Sequence, residues 1–184
     1  MSLSLNKRNY ITIFFLVLLL VILGFGAQYL IKTNNQTQSQ AGEALIAPSK
    51  AAYTDLNGNN KVFNDYIGEI IVANSWASWS PSSANELKKL SDINNNLQGV
   101  KLSILAINRA EDPAIAQRYL GSLGDLNGVE LILDPEDNYY RSIGGYAMPE
   151  TVVYSKNGSI YYHVRGEIDP EILTQKINEL SRIE

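Results

Sequence analysis

Two short, unbroken apolar runs, Ile70-Ile71-Val72-Ala73 and Leu102 to Ile107, with an amphipathic stretch between them, constrain the fold of this chain more than any other feature. An apolar run of that length reads as a strand covered on both faces, the pattern of a sheet with helices on either side. Between the runs, Leu87, Leu90, Ile93 and Leu97 recur at helical spacing while Glu86, Lys88, Lys89 and Asp92 take the other face. The unit is strand, helix, strand, and it predicts an α/β layered architecture.

Turn and cap signals extend that unit in both directions. Ala51 to Asp55 and Lys61 to Phe63 flank Asn57-Gly58-Asn59-Asn60 and predict a hairpin, because Asn and Gly accept the positive φ such turns need. Glu111-Asp112-Pro113 opens a helix ending at Gly121, with its acidic groups placed to favour the helix dipole. A strand over Val129 to Leu133 and a short helix opened by Asp134-Pro135 and running through Tyr139 to Ile143 follow. Thr151 to Tyr154 and Ile160 to Val164 pair around Lys156-Asn157-Gly158, and Asp169-Pro170 starts a last helix with Ile172, Leu173, Ile177 and Leu180 on its apolar face. The expected sheet is mixed, with an antiparallel edge after a parallel opening.

The 184 residues hold one such domain, over residues 51–184, plus an appendage. Tyr10 to Ile31 is uncharged and almost wholly apolar, long enough to span a bilayer as one transmembrane helix. Lys7 and Arg8 precede it and only Lys32 follows at once, which places residues 1–9 in the cytoplasm and the domain outside. A cleaved signal peptide with a cut near Gly24-Phe25-Gly26 is the competing reading, against which the length of the apolar run counts. Residues 32–50 are mostly small and polar and read as a flexible tether. The expected location is therefore the cytoplasmic membrane, single-pass, with the C-terminal domain extracytoplasmic.

A net charge of −4 gives no basic stripe for nucleic acid. One histidine and no cysteine leave no set of metal ligands, and no glycine-rich phosphate loop is present, so no cofactor is expected.

Trp76-Ala77-Ser78-Trp79-Ser80-Pro81-Ser82-Ser83, followed at a distance by Gly145-Tyr146-Ala147-Met148-Pro149-Glu150-Thr151, resembles the membrane-anchored thioredoxin-like proteins of the TlpA/ResA type, within the redoxin and alkyl hydroperoxide reductase superfamily. The resemblance implies a thioredoxin-like fold and a cis bond before Pro149. It also puts Ser80 and Ser83 where active members carry two cysteines. Thiol–disulfide exchange requires a thiolate, which serine does not supply. Ser83-Ala84-Asn85-Glu86 spells a helix capping box, so Ser83 and Glu86 are expected to cap. Ala84 and Lys88 depart from the basic residue and the proline of the family pattern. His163, on a hairpin strand, is expected to lie away from Ser80 and to be satisfied locally, which leaves Ser80 and Ser83 without a base and the chain without a catalytic residue.

The first functional expectation is a redox-inactive protein- or peptide-binding or scaffold module. Its groove is made by Trp76, Trp79, Ser80, Pro81, Ser82, Ser83, Met148 and Pro149, and its partner is an extracytoplasmic protein or peptide bound by main-chain pairing. The alternative is a thiol–disulfide oxidoreductase or peroxidase, which holds only if serine replaces native cysteine at 80 and 83. A third reading makes the domain vestigial. The pair Gly144-Gly145 is read as flexibility before the Pro149 turn.

Overall fold

A computed structural model describes residues 53–97 and 99–184. The expected anchor, tether and cytoplasmic N-terminus lie outside the described residues; among the described residues no helix is long and apolar enough to cross a membrane.

The strands are β1 (Tyr53–Asp55), β2 (Asn60–Lys61), β3 (Ile70–Trp76), β4 (Leu102–Arg109), β5 (Val129–Asp134), β6 (Glu150–Tyr154) and β7 (Ile160–Arg165). The helices are α1 (Ser83–Asn96), α2 (Pro113–Gly121), α3 (Asn138–Ser142) and α4 (Pro170–Ile183), with a 3-10 turn at Phe63–Tyr66. The strands form one sheet in the order β2-β1-β5-β4-β3-β6-β7. Parallel β3, β4 and β5 make its centre, and β1 and β6 join antiparallel on either side. This is the mixed sheet expected from the sequence.

Alternation along the continuous apolar strands splits the core in two. Ile70 and Val72 of β3 and Ile104 and Ala106 of β4 pack with Leu87, Leu90 and Ile93 of α1 and with Leu173, Ile177 and Leu180 of α4. Ile71, Ala73, Leu105, Ile107 and Val152 turn to the opposite face, against Phe63, Tyr139, Tyr140 and Ile143. The Phe63 ring stacks on Tyr139 with centroids 5.6 Å apart and meets Tyr154 edge-on at 5.3 Å.

Three local expectations are corrected here. Phe63 lies in the 3-10 turn rather than in a strand, because its ring is drawn under the sheet by that aromatic cluster. The short helix starts later than expected, at Asn138: the Asp134 carboxylate reaches forward to accept the N–H groups of Asn138 and Tyr139 at 2.9 and 2.8 Å, serving as a cap from a distance. Ile172 is 44% exposed and does not belong to the buried face of α4, whereas Leu173, Ile177 and Leu180 do. At the starts of α2 and α4 the reading holds, with Asp112 accepting from Ala114 N–H and Asp169 from Glu171 and Ile172 N–H.

Burial dictates how α4 responds to truncation. Leu173→Ala should cost about 2–5 kcal/mol through the cavity it leaves, and Ile172→Ala less than about 1 kcal/mol. Urea midpoints of the two variants beside the wild type measure the difference, and equal losses would contradict the packing described.

Candidate functional site

β3 delivers the tryptophan–serine motif to the end of the sheet. Trp76, its last residue, is fully buried and its ring stacks on Tyr119 of α2, centroids 5.7 Å apart. The chain then turns: Ser80 N–H donates to Ala77 C=O at 3.1 Å and Ser83 N–H to Ser80 C=O at 3.2 Å. From Ser83 onward it is helical.

Two carboxylates hold the turn, and a third fastens the loop beside it. Glu111 accepts from the Ser78 N–H at 2.8 Å, from the Ser78 hydroxyl, and from Asn108 Nδ2 at 2.6 Å. Glu167 Oε1 accepts from Ser82 Oγ at 2.6 Å, and its Oε2 lies 3.5 Å from Lys89 Nζ. Glu86 faces inward from α1 and accepts the Ile168 N–H on both oxygens, at 3.1 and 3.2 Å, while Lys89 Nζ donates to Ile168 C=O. The loop before α4 is thereby fastened to α1.

The expected capping box is therefore absent. Ser82, not Ser83, occupies the N-cap position, and its helical φ and ψ (−86°, −11°) turn its side chain away from the helix amides. Ser83 Oγ accepts instead from Ala77 N–H at 3.3 Å, closing the turn on itself. Glu86 is withdrawn from the helix start because Ile168 offers it a buried donor. Burial outweighs that bond and the nearby Lys89, and pushes the Glu86 carboxyl up to about 7.

The second half of the site enters alongside the first. The antiparallel register of β3 and β6 ends at Ser75↔Glu150, so the chain arriving through Met148 and Pro149 comes in beside the chain leaving through Trp76. The Met148–Pro149 bond is cis. Glu150 is buried, with Oε2 accepting from Tyr146 N–H at 3.1 Å and Ala147 N–H at 3.2 Å. His163 Nε2 lies 2.6 Å from its Oε1 and Arg165 Nε 3.4 Å. The lone histidine thus bonds to Glu150 across the strand pair, half-buried, and serves neither Ser80 nor Ser83. Burial, with Arg165 adding to it, lowers its pKa below the ordinary value in spite of the Glu150 bond.

Of the residues expected to form a groove, the accessible ones are Trp79, at 61% exposed, Pro81, and the half-buried Ser82 and Met148. Trp76, Ser80, Ser83 and Pro149 are buried. Trp76 in particular is committed to the core by its contact with Tyr119. Tyr146, 77% exposed in the loop leading to Pro149, is a surface aromatic that sequence reasoning missed; only its adjacency to the Met148-Pro149 pair could have marked it. The glycines before it are shape requirements and not flexible points. Gly144 has φ +63°, and a Cβ on Gly145 would lie 2.5 Å from the Tyr140 ring. Among the described residues no group of three or more His, Asp or Glu side chains could hold a metal ion.

The sequence model of the AhpC/TSA family matches residues 45–163. The chain belongs to the AhpC/TSA family. Among its AhpC/TSA-type relatives, the thiol:disulfide interchange protein DsbE of Yersinia pestis is 26% identical over 179 residues, covering 95% of this chain and 92% of the relative. The thiol-disulfide oxidoreductase ResA of Geobacillus thermodenitrificans is 22% identical over 175 residues, covering 95% and 98%. A secreted Mycobacterium tuberculosis disulfide oxidoreductase superimposes with a TM-score of 0.62 at 18% identity, over 75% of this chain and 98% of that one, and so shares the thioredoxin-like fold. This AhpC/TSA-family chain differs from what the names of those relatives describe in containing no cysteine.

Glu86 supplies a pH test of the site's electrostatics. A carboxyl whose folded pKa is raised favours the protonated folded state, so its contribution is full below the unfolded value near 4.5 and is lost as pH rises through about 7. Glu86→Gln keeps an acceptor for Ile168 N–H and removes the titration. Urea stability of the wild type relative to this variant should fall by on the order of 2–3 kcal/mol between pH 5 and pH 8; a flat difference would show that Glu86 titrates normally.

Proposed function

We propose that the domain is a redox-inactive recognition module, held outside the cytoplasmic membrane by the segment Tyr10 to Ile31, which binds an extended stretch of an extracytoplasmic protein or peptide beside the motif turn. The observation that carries this reading is a fully built thioredoxin-like frame around a motif with serine at both cysteine positions, in a chain that has no sulfur nucleophile anywhere. The chemistry that names the relatives has no atom to run through.

What remains at the site suits main-chain recognition. The backbone N–H and C=O of Met148 take no hydrogen bond among the described residues, whereas Pro149 C=O next to it accepts from Gly166 N–H at 2.9 Å. An extended segment can pair with such free groups in the manner of an added strand. Trp79 and Tyr146 offer exposed aromatic surface in the two loops that frame the position, with apolar area and a polar tip for a partner side chain. The names of the relatives favour the thiol–disulfide reading as the second one, and the intact mass of the protein from its native source separates the two at positions 80 and 83.

Site-specific photo-crosslinking in native membranes tests the module. Because Ser80 is only 2% exposed, the probe belongs at Trp79, with a control at Gln175 on α4. A discrete adduct at Trp79 alone is expected, and equal labelling at both positions, or none, would remove the groove. In a turbidity assay with insulin and dithiothreitol, the purified protein should leave the rate at background, and turnover above it would refute redox inactivity.

A further inference from the structure

The Glu150 carboxylate does more than close a strand. It is fully buried, and a carboxylate out of water is costly unless each oxygen is paired. Its partners come in two sets from two parts of the chain. Oε2 receives the Tyr146 and Ala147 N–H groups of the loop, and Oε1 receives His163 and Arg165 from the edge strand β7. One side chain therefore bridges the loop before Pro149 to the edge of the sheet.

The same loop is held from its other side. Tyr140 Oη donates to Ala147 C=O at 2.8 Å, and the missing Cβ of Gly145 lets the Tyr140 ring sit against the backbone. Tyr140 is itself steadied by the Arg109 guanidinium, 3.5 Å above its ring centroid, and Arg109 pairs with Asp137 at 2.7 Å. Arg165 continues past Glu150 to lie 5.0 Å from the centroid of the exposed Tyr146 ring. Ala147 is thus fixed through both its N–H and its C=O, and Tyr146 through its N–H and its ring, while Met148 keeps its backbone groups free.

We propose that Glu150 is the positioning residue of the recognition loop, and that His163 and Arg165, from β7, hold Glu150 in place so that the free Met148 backbone is presented in one fixed geometry. The clamp is a property of the domain by itself; its use in recognition rests on the function proposed above. A loop ordered before binding leaves less conformational entropy to be lost on binding, which is where such a clamp raises affinity.

Amide hydrogen exchange of the full chain in detergent, read by NMR at Tyr146 and Ala147 against Val72 and Val152 as sheet controls, tests the clamp without any ligand. Glu150→Gln should speed exchange at the two loop amides by about tenfold or more, the scale of one lost charge-assisted hydrogen bond, and leave the sheet amides unchanged. His163→Leu should act in the same direction and His163→Gln, which keeps an N–H donor, should restore most of the protection. If Glu150→Gln does not fold, the two His163 variants decide alone. Unchanged loop exchange in every folded variant would overturn the proposal, as would equal loss in His163→Gln and His163→Leu, which would mean packing and not a hydrogen bond. Accelerated loop exchange without a Trp79 adduct would retain the clamp and remove the recognition role; an adduct with unchanged exchange would remove the clamp and leave the groove.

Discussion

Burial of β3 on both faces along all seven residues is the constraint on which the rest of the domain depends. A central strand with no solvent side needs a neighbour on each edge and a layer on each face. β4 and β6 take the edges, α1 and α4 cover one face, and the aromatic cluster of Phe63, Tyr139 and Tyr154 covers the other. Where β3 ends, that cover also ends. The motif turn leaves the sheet at the same level as the chain entering β6, so burial of one strand brings two sequence-distant loops side by side.

Carboxylates anchor the loops at that level. Glu111 organises the turn at Ser78, Glu86 fastens the Ile168 loop to α1, and Glu150 fastens the loop at Tyr146 to β7. Each accepts backbone N–H groups, and the Ile168 N–H, which is buried, would cost on the order of 1–3 kcal/mol if left without its partner. That is the physical reason the end of the sheet stays built in a chain without cysteine: the turn is closed by Ser83 Oγ on Ala77 and by carboxylates, and two serines satisfy its geometry.

Features of the fold that depend on near neighbours were legible in the sequence. The Asp-Pro pairs at 112–113 and 169–170 mark helix starts because a cap bonds two or three residues ahead, and the apolar runs at 70 and 102 mark β3 and β4 because period and burial are local patterns. The apparent box at Ser83 and Glu86 failed because Glu86 finds its donor 82 residues away. Glu111 passed for a dipole partner of α2 and proved to serve Ser78, 33 residues upstream. Glu150 entered the sequence reading only as part of the Gly145 to Thr151 motif, with no role of its own, since its meaning lies in His163 and Arg165 arriving on a neighbouring strand. Ile172 shows the same limit on a helix: periodicity names a face, and only the width of the facing layer decides how far round it burial extends.

The division of labour at the site follows from exposure. Ser80 and Ser83 are buried and hold the turn through backbone and hydroxyl contacts, while Trp79, Pro81 and Tyr146 around them face solvent. A site selected for attack on a disulfide needs its nucleophile reachable; a site selected for docking needs an accessible rim and a rigid floor. The serines lie beneath the exposed side chains. Rigidity there comes from bonds that reach across the sheet, and accessibility comes from the two loops that those bonds fix.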